Sequence, residues 1–360
     1  MSDSKPTYPP ASSLSEREQV ILRLVVRSFI ETAGPVGSRT LARRYPLGLS
    51  PASIRNTMSD LEDLGYLGHP YTSAGRTPTQ RGYRAFVDEL MATPELSPVE
   101  KQLIKAKFDQ IMGDTEELFR ESSRLLGRMS NLLGVVLSPR ISAGVLERLD
   151  VVPLSSSRVM IVISVRSGLV KTIVFETDVV LKRRDLDRVV ALLNERLAGL
   201  RLEEIRRTYA RRTRGLDDDD RTGIVRLILN KSTTLFGESV EGRLRHGGTQ
   251  QILSQPEFQQ TEDVRRLIEL IENEGYIVQL LEGQHAALNG ETGQAVVSIG
   301  RENSDEKADK YSIVTAQYQV GETIGTVGIL GPMRMDYERV VALVESMAVL
   351  LHRPVLDLAS

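Results

Sequence analysis

Apolar positions near the start of the chain fall into short helical stripes. Ile21, Leu24, Val25 and Phe29 follow a helical period, Ser13 and Ser15 with Glu16 and Glu18 offer a capping box, and Gly34-Pro35 predicts a stop. A second short helix is expected from Ser38, as N-cap, to Tyr45, with Leu41 inward. The third is the best marked. Ser50 stands as N-cap, Pro51 loses nothing by its missing N–H, and Gly65 supplies a left-handed stop. Ile54, Met58, Leu61 and Leu64 make its apolar stripe, and Ser53, Arg55, Asn56, Ser59 and Asp60 its polar face. Tyr66-Leu67 and the turn-rich stretch 68–78 then predict a two-stranded ribbon, followed by an amphipathic helix from Thr79 to about Met91. Three short helices and a ribbon with glycine at its tip is the layout of a winged helix-turn-helix.

Pro94 and Ser97-Pro98 mark a boundary, and 98–133 reads as helical with a break near Gly113-Asp114. From Val151 the period falls to two. Arg158–Val165 and Leu169–Glu176 are predicted strands joined across Arg166-Ser167-Gly168. Residues 184–198 read as helical, and a helical pattern runs on through about Arg245. Strands are expected at Tyr276–Leu281, Ala295–Ile299, Ile313–Gln319 and Ile324–Leu330, with a closing helix from Asp336 to about His352. The simplest account is an α+β multidomain chain. It has a head at 1–91, a helical linker at 92–150, and an α+β domain in two parts, 151–200 and 262–360, interrupted by a mostly helical insertion at 201–261.

Composition narrows the function. The 360 residues are 41% hydrophobic and 26% charged, ordinary for a globular chain. No apolar run approaches the ~18–20 residues a membrane helix needs, and the polar, Pro/Ser-rich first residues carry no signal-peptide core, so a cytoplasmic protein without a membrane partner is expected. With no cysteine, disulfides, thiolate metal sites and a Cys nucleophile are excluded. His69, His246, His285 and His352 stand at no metal-ligand spacing, and no nucleophile elbow, Walker A or dinucleotide glycine motif occurs. Neither an enzyme nor a metal or cofactor is therefore expected. Gly325, Gly328 and Gly331 read as packing glycines and Asp217–Asp220 as a solvated loop.

Charge points to nucleic acid. Residues 39–84 hold seven arginines against three carboxylates, in a chain whose formal net charge is −2. In a helix-turn-helix the second helix meets base edges in the major groove, and Ser53, Arg55 and Asn56 supply the hydrogen-bonding groups there: Arg pairs with guanine, Asn with adenine. The N-terminus of that helix, at Ser50, suits a phosphate. Ser38, Arg39 and Arg43 on the preceding helix extend the surface. In the wing, Ser73-Ala74-Gly75-Arg76-Thr77-Pro78, small residues let backbone approach DNA and Arg76 is aimed at minor groove or phosphate. Arg81 and Arg84 are candidate phosphate contacts. Double-stranded DNA is the expected partner; a solvated helix face and a solvated turn arginine remain the alternatives.

The motifs that carry this reading resemble the heat-inducible transcription repressor HrcA family. The matching stretches are Gly34-Pro35-Val36-Gly37-Ser38-Arg39, Ser50 to Asn56 with Met58, Leu61-Glu62, Gly65-Tyr66-Leu67, Ser73 to Thr79 with Gly82-Tyr83-Arg84, and Gly331 to Tyr337. The departures are Tyr71 in place of the usual His and Thr77 in place of Val or Ile. The resemblance implies a dimeric repressor of chaperone operons that binds an inverted-repeat operator and is released on heat stress, with a GAF-like domain, an inserted dimerising segment, and the chaperonin GroEL as a partner. An inverted repeat needs two reading heads, so at least a homodimer is expected. Its contact is expected in 201–261, where Ile224, Leu227, Ile228, Leu235 and Phe236 exceed what a short segment buries. The alternative is a ligand-gated winged-helix regulator whose GAF-like domain binds a small molecule between the strands at 158–176 and 295–330.

Overall fold

The computed structural model describes residues 13–352 apart from 71–74, 93–94, 110, 112–114, 178–182, 217–219, 221, 238–241, 289–290 and 304. Helix α1 (Glu16–Thr32) opens with the expected capping box between Ser15 and Glu18, and ends where Ala33, just before Gly34, takes φ 53°. In α2 (Ser38–Arg44) the cap is Gly37 and makes no side-chain bond, so Ser38 lies inside the first turn and not at the cap. In α3 (Pro51–Asp63) the Ser50 hydroxyl accepts from the Ser53 N–H at 3.1 Å. Ile54, Met58 and Leu61 are buried, but the helix ends at Asp63 and Leu64 leaves the stripe, 43% exposed. Strands β1 (Leu67–Gly68) and β2 (Thr77–Pro78) form the ribbon. Helix α4 (Gln80–Ala85), capped by Thr79, continues as a π turn over Phe86–Leu90.

Next come α5 (Pro98–Asp109) and α6 (Thr115–Ser130), on either side of the expected break. Then follow β3 (Leu133–Leu137), β4 (Leu146–Pro153), β5 (Arg158–Val165), β6 (Val170–Glu176), α7 (Arg183–Leu197), α8 (Leu202–Arg212), α9 (Ile224–Asn230), α10 (Ser232–Phe236) and β7 (Leu244–Gly247). The chain closes with α11 (Thr249–Leu253), α12 (Thr261–Glu272), α13 (Glu274–Leu288), β8 (Ala295–Ile299), β9 (Tyr311–Val320), β10 (Thr323–Pro332) and α14 (Tyr337–Leu351).

Two antiparallel sheets organise this body. One has the order β7-β3-β10-β9-β8, the other β4-β5-β6. The five-stranded sheet has a core on each face: Val136, Val314 and Val327 belong to the core shared with α6 and α14, and Leu133, Val135 and Ile313 to the core shared with α11 to α13. Within the first of these, the ring of Phe119 lies 5.8 Å from that of Tyr318.

The sheet pairing moves the expected boundaries. Residues 92–150, expected to be helical throughout, contain β3 and β4. Leu133–Leu137 is buried on both faces and so lacks the alternation that marks a strand in sequence. Because β3 pairs with β7, the detour from the sheet runs from about 138 to 243 and not from 201 to 261. Its base is closed where the Ser138 N–H donates to the Arg243 carbonyl at 2.9 Å and Arg243 Nη2 donates to the Ser138 carbonyl at 3.1 Å. The strands at 158–176 and 295–330 consequently belong to different sheets and do not share a ligand wall. Tyr276–Leu281, expected as a strand, lies within α13: a short apolar run fits either period, and here Ile277 and Leu281 face the sheet as part of a helix. Ile224, Ile228, Leu235 and Phe236, expected at a dimer contact, are fully buried within the single chain.

Candidate nucleic-acid interface

The polar face of α3 is exposed along Arg55, Asn56, Ser59 and Asp60, directly opposite the buried Ile54, Met58 and Leu61. Ser50 and Ser53 are occupied with the helix start, their hydroxyls 3.1 Å apart. Arg55 and Asn56 make no side-chain hydrogen bond or ion pair with any described residue, so two hydrogen-bonding groups stand free near the amino-terminal end of a capped helix. On α2, Arg39 and Arg43 are exposed, and Arg43 Nε reaches only the Arg39 carbonyl, at 3.4 Å. Ser38 is half-buried in the first turn. Arg44 pairs with Glu31 and lies over the ring of Tyr45.

The ribbon is differently employed. Tyr71, Ser73 and Ala74 lie outside the described residues, as do Asp217 to Asp219 of the acidic run. A Cβ on Gly75 would stand 2.5 Å from the Val36 carbonyl group, so glycine is required there for the ribbon to reach the loop before α2. Arg76 makes that contact: its N–H donates to the Val36 carbonyl at 2.9 Å and its carbonyl accepts from Val36 at 2.8 Å. The Arg76 guanidinium turns back to Glu62 on α3 at 2.6 Å, and His69 meets the same carboxylate. Glu62, to which the sequence reading gave no part, thus fixes the ribbon to α3.

Arg81 and Arg84 are also engaged. Arg81 stacks over Tyr66 with its guanidinium 4.2 Å from the ring centroid. Arg84 donates to Glu302 at 3.0 Å, to the Val297 carbonyl at 2.8 Å and to Asp88 at 3.0 Å. Burial disfavours its charge, but Glu302 and Asp88 outweigh that and raise its pKa. Arg84 is one of several ties between the head and the five-stranded sheet. Arg27 pairs with Glu338 at 2.7 Å, and Arg334 donates to the Ile30 carbonyl at 2.7 Å while pairing with Glu257 at 2.6 Å. Only side chains far apart in sequence make this joint, so no local pattern announces it. The cations left free for an anionic partner are Arg39, Arg43 and Arg55, in a cluster on α2 and α3.

A family model described as the HrcA protein C terminal domain matches residues 116–341. Two relatives named "Heat-inducible transcription repressor HrcA" are similar over 343 residues, 93% of this chain and 96% of theirs: one from Chlorobium phaeobacteroides (strain BS1) at 44% identity, one from Chlorobium luteolum at 45%. A crystal structure of a hypothetical protein, 25% identical, superposes with a TM-score of 0.60 over 94% of this chain and 97% of the other.

Proposed function

The chain belongs to the HrcA family of heat-inducible transcription repressors, and from that premise we propose that residues 1–91 are a winged-helix module that reads a double-stranded, inverted-repeat operator of chaperone genes. The observation that carries the reading is the free pair Arg55 and Asn56 on the exposed face of α3, beside a helix start capped by Ser50. Placed in a major groove, Arg55 meets guanine and Asn56 adenine, while Arg39 and Arg43 lie along the phosphates. Each good bidentate base contact is worth about 1–3 kcal/mol of discrimination. Arg55→Ala and Asn56→Ala are therefore expected to cost about that much each on an operator selected from random sequence, and much less on a scrambled duplex. Gel shifts at two salt concentrations check it; equal losses on both duplexes reduce the two side chains to backbone contacts.

In this reading Arg76 acts by holding the wing in place. Arg76→Ala and Glu62→Gln are both expected to weaken operator binding roughly three- to ten-fold with the fold intact, since each removes one charge-assisted bond. A Glu62→Gln protein that binds more tightly than the wild type would instead assign Arg76 a direct DNA contact that Glu62 restrains.

The five-stranded sheet with helices on both faces serves as a GAF-like regulatory body, and the detour at 138–243 as the dimerising segment. The reading is that of a cytoplasmic DNA-binding protein with no catalytic role. Two heads at fixed spacing match a two-fold operator, so heat that loosens the joint made by Arg27, Arg84 and Arg334 misplaces them. Refolding of the body by the chaperonin GroEL would restore repression.

A further inference from the structure

The seam between head and body encloses a cavity of about 410 Å³, within the usual range for small-molecule sites. Phe29 of α1, Pro78 of β2 and Tyr83 of α4 wall it from the head, and Phe258, Tyr311 and Met333 from the body. The rings of Phe258 and Tyr311 stack at 13° and 6.2 Å, a flat aromatic surface.

Tyr83 is the polar group within it. The side chain is 3% exposed, and its hydroxyl has no hydrogen-bond partner among the described residues. Its neighbour Tyr337, 5.9 Å away ring to ring, spends its own hydroxyl on Ser312 at 2.8 Å and the Met333 carbonyl at 2.7 Å. Burial pushes the Tyr83 phenol well above its ordinary range, so it stays a donor at any physiological pH; the charges it feels are those of Arg334 and Glu257, both in the cavity wall. A buried donor left unmade costs about 1–3 kcal/mol, so a partner that enters the cavity is favoured. The ions around the mouth already satisfy one another, Arg334 with Glu257 at 2.6 Å and Lys310 with Asp263 at 3.1 Å, and leave no net charge for an ionic ligand.

We propose that this cavity binds a small, uncharged, mostly apolar molecule whose carbonyl-type acceptor takes the Tyr83 hydroxyl proton in a hydrogen bond. Its body lies against the Phe258–Tyr311 surface. Because the two halves of the wall belong to head and body, such a ligand clamps one to the other and reinforces the Arg84–Glu302 and Arg334–Ile30 contacts. Its regulatory consequence rests on the DNA-reading function of the head; its binding does not.

The test uses the full chain and the neutral naphthalene ketone 6-propionyl-2-dimethylaminonaphthalene, whose emission reports both an apolar environment and a hydrogen bond to its carbonyl. One saturable site per chain is expected. Tyr83→Phe should weaken binding about three- to ten-fold, the loss of one hydrogen bond, and shift the bound emission further to the blue. The same variant should raise the melting temperature of the free protein, since it deletes an unmatched hydroxyl. Met333→Trp, which fills the cavity, should abolish binding. Equal affinity in wild type and both variants overturns the proposal. So does a Tyr83→Phe protein that melts earlier and binds the probe unchanged, because its hydroxyl then already had a partner. Both readouts are made without DNA, so their failure leaves the operator reading standing, and a failed operator assay leaves this site standing.

Discussion

A Gly134→Ala protein is expected to lose about 3 kcal/mol or more of stability, at or above the upper end for overpacking. Strand β3 runs directly beneath α6. A Cβ at Gly134 would stand 2.2 Å from the Ser123 carbonyl oxygen and 2.7 Å from the Gly127 nitrogen. Both are backbone atoms, so no change of rotamer relieves the clash and helix and strand must separate. The strand cannot yield freely, because Gly134 sits opposite Ile329 of β10 on one side and Gly247 of β7 on the other. Those pairings also close the base of the 138–243 detour, so the damage spreads beyond one contact. Gly283→Ala on α13 is the control: nothing lies within 4 Å of its Cβ position. It is expected to be neutral or to gain up to about 1 kcal/mol of helix propensity. Denaturant unfolding followed by circular dichroism compares the two, and a Gly134→Ala protein within 1 kcal/mol of wild type would disprove the tight helix–strand contact.

The helices of the head were legible because several signals agree over a few residues. Ser50, Pro51 and Gly65 bracket α3, and Ile54, Met58 and Leu61 set its buried face, which leaves Arg55 and Asn56 outside by geometry alone. Leu64 misleads because a stripe read by period carries no information on where the last turn unwinds. The body was read less well for the complementary reason. A central strand such as β3 is apolar on both faces, and β7, Leu-Arg-His-Gly, is a short polar edge; neither alternates. The site was half legible. Side chains that point to solvent follow from local period, whereas the commitment of Arg76 to Glu62, Arg84 to Glu302 and Arg334 to Ile30 depends on what the fold brings beside them. A basic island in sequence therefore overstates the charge presented to a partner, and three of its arginines are structural ties.

Under the proposed function, Val174→Asp is expected to convert a dimer to monomers and to weaken binding to a full inverted repeat by about 100-fold or more. The residues first suspected of pairing two chains are buried in one, so the contact has to use apolar groups that remain exposed in the 138–243 detour. The β4-β5-β6 sheet has them. Its inner face, with Val151, Ile161 and Phe175, belongs to the main core and packs against α7. On its outer face Val152, Met160 and Val174 stand side by side in register, with Val152 40% and Val174 41% exposed. Val170, 59% exposed, extends the patch along β6, a strand paired only with β5 among the described residues. Isolated exposed valines are ordinary, but an aligned row beside an open strand edge is an association surface. A charge at its centre must be desolvated against a second copy of itself, which like-charge repulsion forbids. Two linked heads on a matched operator gain about 10²–10⁴-fold over one, and that gain is what dissociation forfeits. Sedimentation velocity and operator titration on the same samples read both effects, with a thermal melt to confirm the fold. Val349→Asp, on α14 and 66% exposed, introduces the same charge away from this sheet and should move neither. A folded Val174→Asp protein that sediments as a dimer and holds the full repeat as tightly as wild type places the contact on some other surface.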